Sequence, residues 1–238
     1  MMINKSELKK YLEEYSLAVS DESIDMLDAF SEMLIEKNKS VNLTAIKDAD
    51  GVLIKHLLDS LLVFKYADIP KGASIIDVGC GAGFPSLPML IARQDLDITF
   101  LDSTAKKLDF ISSVLDTLKL NGSVCHGRAE ELSKENVSRE TFDFAVARAV
   151  ANLSSLSELT LPFVKIGGYF IAMKGKEGEA ELEQAKAAIK TLGGKTESVN
   201  SFTLPDGSER TVIAIKKISQ TPTKYPRSSS AILKKPLN

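Results

Sequence analysis

The chain is poor in the residues that build metal centres and disulfide scaffolds: it has two cysteines and two histidines in 238 residues. Cys80 and Cys125 lie far apart with no C-x-x-C spacing. Neither a disulfide framework nor a zinc site is indicated, and two free thiols are expected. Long apolar runs are also missing. Even the greasiest stretch, Val52 to Phe64, carries Lys55, His56 and Asp59, well short of the ~18 uninterrupted apolar residues that a membrane span needs. Met1 to Lys10 is polar and of mixed charge, without the cationic and then apolar order of a secretory signal, so a soluble cytoplasmic protein is expected. There is no internal repeat. The nearest thing to low complexity is Ser228 to Ser230, inside a proline-containing tail expected to be mobile.

What is present is a chain with 44% hydrophobic residues, long enough to bury one full core. The net charge of −2 argues against a general nucleic-acid binder, but the charge is uneven. From Arg210 onward there are seven basic residues (Arg210, Lys216, Lys217, Lys224, Arg227, Lys234, Lys235) and no acidic one, which leaves −9 for the residues before them. Such a tail is either a phosphate-seeking arm or a solubilising terminus.

Residues 5–17 and 21–38 carry helical apolar spacing, the second with Ile24, Leu27, Phe30 and Leu34 in step after a Ser20 cap. A third helix is predicted over roughly 50–66. From Ser74 the pattern switches to short β-rich runs between helices: Ser74 to Val78, Asp97 to Leu101, Ser123 to His126, Phe142 to Ala147 and Tyr169 to Met173. That alternation predicts an α/β fold, a mostly parallel sheet covered on both faces. Two further runs, Lys195 to Leu204 and Arg210 to Ile218, flank the turn sequence Pro205-Asp206-Gly207, so the sheet should end in an antiparallel hairpin. The expected organisation is a helical segment over 1–68, a cofactor-binding domain over 69–218 and a basic tail over 219–238.

The strongest local signal is Asp77-Val78-Gly79-Cys80-Gly81-Ala82-Gly83, where a buried strand runs into a glycine-rich turn. Glycines let the backbone adopt positive φ and approach a ligand at the carboxyl edge of an open sheet. The spacing G-x-G-x-G, with an acid two positions before the first glycine, differs from the dinucleotide fingerprint G-x-G-x-x-G and favours a cofactor without pyrophosphate. Asp102, ending the second strand, sits where a carboxylate can accept from both ribose hydroxyls of an adenosine, a feature common to both cofactor classes. Gly194-Lys195-Thr196 ends like a phosphate loop, but Ile189 stands where the first glycine is required. Gly193 reads instead as the cap that ends a helix. The chain also lacks an Asn-Pro-Pro-Tyr-like sequence after the fourth strand and any Pro-Cys pair, features of enzymes that methylate exocyclic amines and pyrimidine carbon. Cys80 reads as a small filler of the loop, with nothing adjacent in sequence to activate it.

Taken together, Val41-Asn42-Leu43-Thr44, His56-Leu57-Leu58-Asp59-Ser60, the glycine turn with Phe84-Pro85, Leu101-Asp102-Ser103, Arg128-Ala129-Glu130, Ala147-Arg148-Ala149 and Met173-Lys174-Gly175 closely resemble the RsmG (GidB) family. These are bacterial methyltransferases that act on guanine N7 of small-subunit (16S) ribosomal RNA. The resemblance runs from about Leu34 to the tail. It implies a Rossmann-like class I methyltransferase sheet, a helical N-terminal extension, S-adenosyl-L-methionine as cofactor, the small ribosomal subunit or its RNA as partner, and a monomer. It also implies cofactor contacts at Gly79, Phe84, Asp102, Ser103, Thr104, Ala129, Glu130 and Arg148, beside Asp77, Gly81 and Gly83 of the turn. Ser86 replaces the family's usual glycine after Phe-Pro, and Ser229, Ser230 and Ile232 stand where its tail usually has Pro, Gly and Pro.

Guanine N7 carries an in-plane lone pair and no proton, so attack on a sulfonium methyl needs positioning and electrostatics but no general base. That fits a chain without an evident nucleophile or base dyad. Reading guanine requires a donor to O6 and, optionally, an acceptor for N1–H and N2–H₂. Asp59 can accept; Asn42, His56, Arg148 and Lys174 can donate. His56 and Asp59 share a helix face at i, i+3, expected to roof the cofactor cleft and hold the base, although an ordinary surface pair would have the same spacing. Three other readings stay open at this stage. They are a nicotinamide oxidoreductase, which the glycine spacing disfavours, a methyltransferase for proteins or small molecules, and a nucleoside-sensing RNA-binding module without turnover.

Overall fold

In the computed structural model, which describes residues 3–135 and 137–237, each of the first two helices begins at a side-chain cap. Asn4 accepts from the Glu7 N–H at 3.2 Å ahead of α1 (Lys5–Glu14), and Ser20 accepts from the Ser23 N–H at 3.1 Å ahead of α2 (Asp21–Asn38). Each cap satisfies a donor that a helix start leaves free, a contribution of about 1 kcal/mol. α1 stops short of the predicted Leu17 because Ser16 takes a left-handed φ of 59°.

The third helical run is not the uniform helix that its periodicity predicts. It comprises α3 (Ala49–Gly51), a π-helix (Val52–Leu58), α4 (Asp59–Leu61) and α5 (Val63–Tyr66). π-turns are rare, cost hydrogen-bond geometry and concentrate at functional sites; this one carries Lys55 and His56.

The remaining elements alternate as expected: β1 (Ser74–Val78), α6 (Ser86–Ala92), β2 (Asp97–Asp102), α7 (Ala105–Leu118), β3 (Ser123–His126), α8 (Ala129–Leu132), β4 (Phe142–Arg148), α9 (Leu153–Thr160), β5 (Val164–Lys174), α10 (Gly178–Thr191), β6 (Gly194–Thr203) and β7 (Glu209–Lys217). They form one sheet of order β3-β2-β1-β4-β5-β7-β6. The first five strands in that order are parallel, and β7 runs antiparallel to both β5 and β6. The strand order reverses at β1, so the crevice beyond the carboxyl ends of β1 and β4 is the place where such sheets bind ligands. β5 starts five residues before the predicted Tyr169. Gly167 and Gly168, just ahead of the predicted start, lie within the strand, at a register shift opposite Phe142 and Phe144. A Cβ on Gly168 would stand 2.4 Å from the Asp143 carbonyl oxygen, so only glycine allows the two strands to approach there.

Alternate strand residues feed opposite faces. Ile75, Phe100, Phe144 and Ile171 pack with α2, the π-helix, α6 and α7, while Ile76, Leu101, Ala145 and Phe170 pack with α9 and α10. The N-terminal helices share the first of these cores. Phe30 of α2 is fully buried, with its ring centroid 5.4 Å from Phe84 of the glycine turn and 6.3 Å from Phe110 of α7.

The tail is not a free arm. Lys217 is fully buried and bonds to Leu161 O, Thr221 Oγ1 and Glu140. Arg227 meets the fully buried Glu158 of α9 at 2.6 Å, and α11 (Ser229–Lys234) follows. A buried carboxylate without its cation is costly, which is why proline- and serine-rich chain is held here rather than mobile.

Candidate active site

The loop after β1 is shaped by its glycines. Gly79, Gly81 and Gly83 have φ of 75°, 58° and 93°, in the left-handed region where a side chain is strained. The N–H groups of Gly79 and Cys80 both bond to Leu101 O, tying the turn to the end of β2. The three glycines do different work. A Cβ on Gly83 would lie 2.3 Å from Leu87, and one on Gly79 2.8 Å from Val150; on Gly81 it would meet nothing within 4 Å. Gly81 therefore holds open space.

Asp102 at the end of β2 accepts the Gly81 N–H at 3.0 Å and the Thr104 N–H at 2.8 Å, one on each carboxylate oxygen. Each oxygen keeps further acceptor capacity, so the carboxylate is oriented and still able to take hydroxyl donors. Beside it is a cavity of about 420 Å³ whose wall includes Asp102, Ser103, Thr104, Ala129 and Glu130. A second cavity of about 620 Å³ is walled by Thr44, His56, Asp59, Gly81, Phe84, Arg148 and Lys174, among others. The two share Gly79, Lys107 and Ala149 and so form one cleft along the carboxyl edge of β1, β2 and β4. Ala149 holds a φ of 56°, a strained value for alanine at the junction of the two.

The larger cavity centres on Arg148, the last residue of β4. Its Nη1 donates to Asp59 Oδ2 at 2.9 Å and to Lys55 O at 3.0 Å, and its Nη2 lies 3.2 Å from His56 Nδ1. A guanidinium only donates, so His56 Nδ1 accepts and the ring proton sits on Nε2, bonded to Thr44 Oγ1 at 2.7 Å. Burial and the Arg148 charge push the imidazole pKa down to about 3, so the ring is neutral at pH 7. It stacks on Phe84 with centroids 4.2 Å apart, and the Arg148 guanidinium lies 5.1 Å from the same Phe84 ring. The π-helix, the glycine turn and β4 thus meet in one plate.

Sequence reasoning did not single out several of these partners. Arg210, counted only as a tail charge, reaches back from β7 to place Nε 3.2 Å from Asp59 Oδ1, without hydrogen-bond geometry. Two turns of chain are clamped in parallel, because Lys55 pairs with Asp206 of the hairpin at 3.2 Å. Among the residues lining the larger cavity, Lys55, Lys107, Arg148, Lys174 and Arg210 outnumber Asp59 and Glu181, so the wall is cationic on an otherwise acidic chain.

The other expected site residues have varied surroundings. Asn42 is exposed and stands outside the cavity wall, which begins at Leu43 and Thr44. His56 has both ring nitrogens engaged and no N–H left for a base. Lys174 donates at 2.7 Å to Ala151 O and pairs at 2.7 Å with Glu181, so its charge is spent on holding β5 to α10. Asp59 is nearly inaccessible, its two oxygens faced by Arg148 and Arg210. Asp77 lies beneath the turn and lines neither cavity. Burial pushes its pKa up to about 7, partly opposed by Ser86 and Arg148; neither its oxygens nor Ser86 Oγ has a partner of hydrogen-bond geometry. Gly83 shapes the turn from behind rather than facing the cleft. Among the described residues no three His, Cys, Asp or Glu side chains are gathered as metal ligands, and no helix is long and apolar enough to cross a membrane.

Residues 23–212 match the family model described as rRNA small subunit methyltransferase G. A relative from Staphylococcus carnosus, named ribosomal RNA small subunit methyltransferase G, is 45% identical over 97% of each chain. Among solved structures, the sheet resembles the cyclase SpnF, with a TM-score of 0.54 and 14% identity over 68% of this chain and 82% of that one. It also resembles TYW2 of M. jannaschii in complex with AdoMet, with a TM-score of 0.51 and 13% identity over 63% of this chain and 72% of that one. These structures share the fold; that a cyclase is among them shows that the fold alone does not decide the chemistry.

Proposed function

This chain belongs to the rRNA small subunit methyltransferase G family, and on that premise we infer that it moves a methyl group from S-adenosylmethionine to N7 of a guanine in small-subunit ribosomal RNA. The observation that carries the reading is the continuity of the cleft. A nucleoside-sized chamber with an oriented acid, Asp102, opens through Gly79 and Ala149 into a cationic chamber beside Arg148.

The residues present fit an adenosyl sulfonium. Asp102 is held so that it can accept the ribose hydroxyls, Ala129 and Glu130 wall the nucleoside end, and the open space over Gly81 admits the ligand to the backbone. When bound, the cofactor supplies an electrophilic methyl carbon on a positively charged sulfur. The protein need not remove a proton, since guanine N7 has none, and His56, though neutral, has both ring nitrogens engaged. Its contribution is placement. Phe84 and His56 form a rigid apolar wall, and Arg148 and Arg210, held by Asp59, present donors where guanine O6 or a phosphate would lie. The excess of cations on this wall favours a polyanion over a neutral metabolite.

The test is mass mapping of methylated guanines in small-subunit RNA after removal of the gene and its restoration. Loss and recovery of one 7-methylguanine supports the assignment. An unchanged RNA overturns the substrate while leaving the cofactor reading standing.

A further inference from the structure

The nucleoside chamber is not walled by the sheet alone. Ser229, Ile232 and Leu233 of the C-terminal tail line it together with Asp102 and Thr104. Ile232 is buried and Ser155 Oγ of α9 lies 3.5 Å from its carbonyl oxygen, whereas Leu233 at the mouth is 73% exposed. Ser229 Oγ donates to Glu130 Oε1, and Arg128 Nη1 lies 3.2 Å from the same hydroxyl and 3.7 Å from the same carboxylate oxygen. Glu130, a wall residue of the chamber, is therefore oriented from the tail, across 99 residues of sequence.

Two buried anchors put the tail there. The first joins Arg139, Glu140 and Lys217 to Thr221: Arg139 Nη2 donates to Thr221 O at 2.8 Å, and Glu140 Oε1 accepts from the Thr221 N–H at 2.7 Å. The second is Glu158, which accepts from Arg227 N, Nε and Nη2 at 2.8, 2.9 and 2.6 Å, while Arg227 Nη1 donates to Lys235 O and closes α11 behind it. Nothing in this arrangement leaves Arg227 free to reach a phosphate.

We propose that the tail from Tyr225 to Lys234 is a strap that completes the adenosyl site, with Ser229 fixing Glu130 and Leu233 covering the nucleoside. This rests on the cofactor reading above. In this role Ser229 is a positioning residue, and the apolar pair Ile232-Leu233 supplies a wall that the sheet does not. An exposed leucine at a cavity mouth is a small apolar area that a bound nucleoside would cover.

The test is calorimetric titration of the full chain with S-adenosylhomocysteine and with 5′-methylthioadenosine, which keeps the nucleoside and lacks the amino-acid end. Ser229→Ala and Leu233→Asp should each weaken both ligands by the same factor, about five- to tenfold, with the unliganded melting temperature unchanged; Lys224→Ala, on the tail but away from the chamber, should bind as the wild type does. Ligand should also slow tryptic cleavage after Lys234, whereas Pro236 blocks cleavage after Lys235. Binding equal to wild type in both variants, or weakening of S-adenosylhomocysteine alone, overturns the strap and leaves the cofactor site in place. Absence of binding by the wild-type chain would overturn the strap together with the cofactor reading.

Discussion

Arg148 at the end of β4 and Asp59 at the start of α4 stand 89 residues apart in sequence and meet at 2.9 Å, with 13% and 3% of their side chains exposed. The N-terminal helical run is thereby fastened to the carboxyl edge of the sheet, at the mouth of the cleft. Arg210 closes on the same carboxylate from β7.

Asp59→Ala should therefore lower methyl transfer by roughly 10²-fold, the scale of a misplacement of about 1 Å among reacting groups. Affinity for S-adenosylhomocysteine should change little, because Asp59 does not line the nucleoside chamber. Labelled methyl transfer and calorimetry on one preparation separate the two. Equal activity would remove Asp59 from the site.

Gly81→Ala and Gly83→Ala should fail in different ways. At Gly81 the new Cβ meets no protein atom, so the chain folds with a penalty of about 1–2 kcal/mol for the left-handed backbone, and it loses ligand because the methyl enters the cleft. At Gly83 the methyl collides with Leu87, and the melting temperature falls more steeply. Similar melting temperatures and similar ligand affinities for the two variants would contradict this division of labour.

Phe30→Ala removes a ring packed between Phe84 and Phe110, a change that costs about 3–5 kcal/mol in buried cores. Urea unfolding gives the loss directly. Since Phe30 backs the plate on which His56 stacks, turnover should also fall in the folded fraction, whereas a loss of less than about 1 kcal/mol would show that the N-terminal helices do not share the core.

Two buried groups pull the pH dependence in opposite directions. Asp77 is raised from 3.8 to about 7, so its stabilising effect is full below pH 3.8 and is lost as pH rises through 7. His56 is lowered from 6.5 to about 3, so its effect is full above pH 6.5 and is lost as pH falls through 3. Between pH 4 and 6.5 the two offset each other, and wild-type stability should be nearly flat. In Asp77→Asn it should rise with pH over that range, with a limiting slope of about 1.4 kcal/mol per unit; in His56→Gln it should fall. Urea midpoints from pH 4 to 8 check the signs, and superimposable profiles would contradict both.

The sheet is legible in the sequence because each buried strand is a short apolar run ended by a turn residue, and because the glycine turn has a spacing that few other structures need. Residues 164–168 are hidden because Gly167 and Gly168 look like a break, although Gly168 is there to let the backbone of β4 approach. The π-winding of Val52–Leu58 leaves no mark in apolar periodicity; it coincides with the convergence of Lys55, His56 and Asp59 on Arg148. Arg210 and Arg227 read as members of one basic tail because their partners, Asp59 and Glu158, are 151 and 69 residues away and are invisible to any local pattern. Charge counting finds the cations; only tertiary contact shows that both are already paired.

The most direct measurement is transfer of labelled methyl from S-adenosylmethionine to small ribosomal subunits prepared from cells lacking this gene, with the labelled nucleotide located by mass. The expected result is label in a single 7-methylguanine with the wild-type chain, and none with Arg148→Ala. Label on protein, on an exocyclic amine or equally with the Arg148 variant would contradict a cleft built to present guanine N7 to an adenosyl sulfonium.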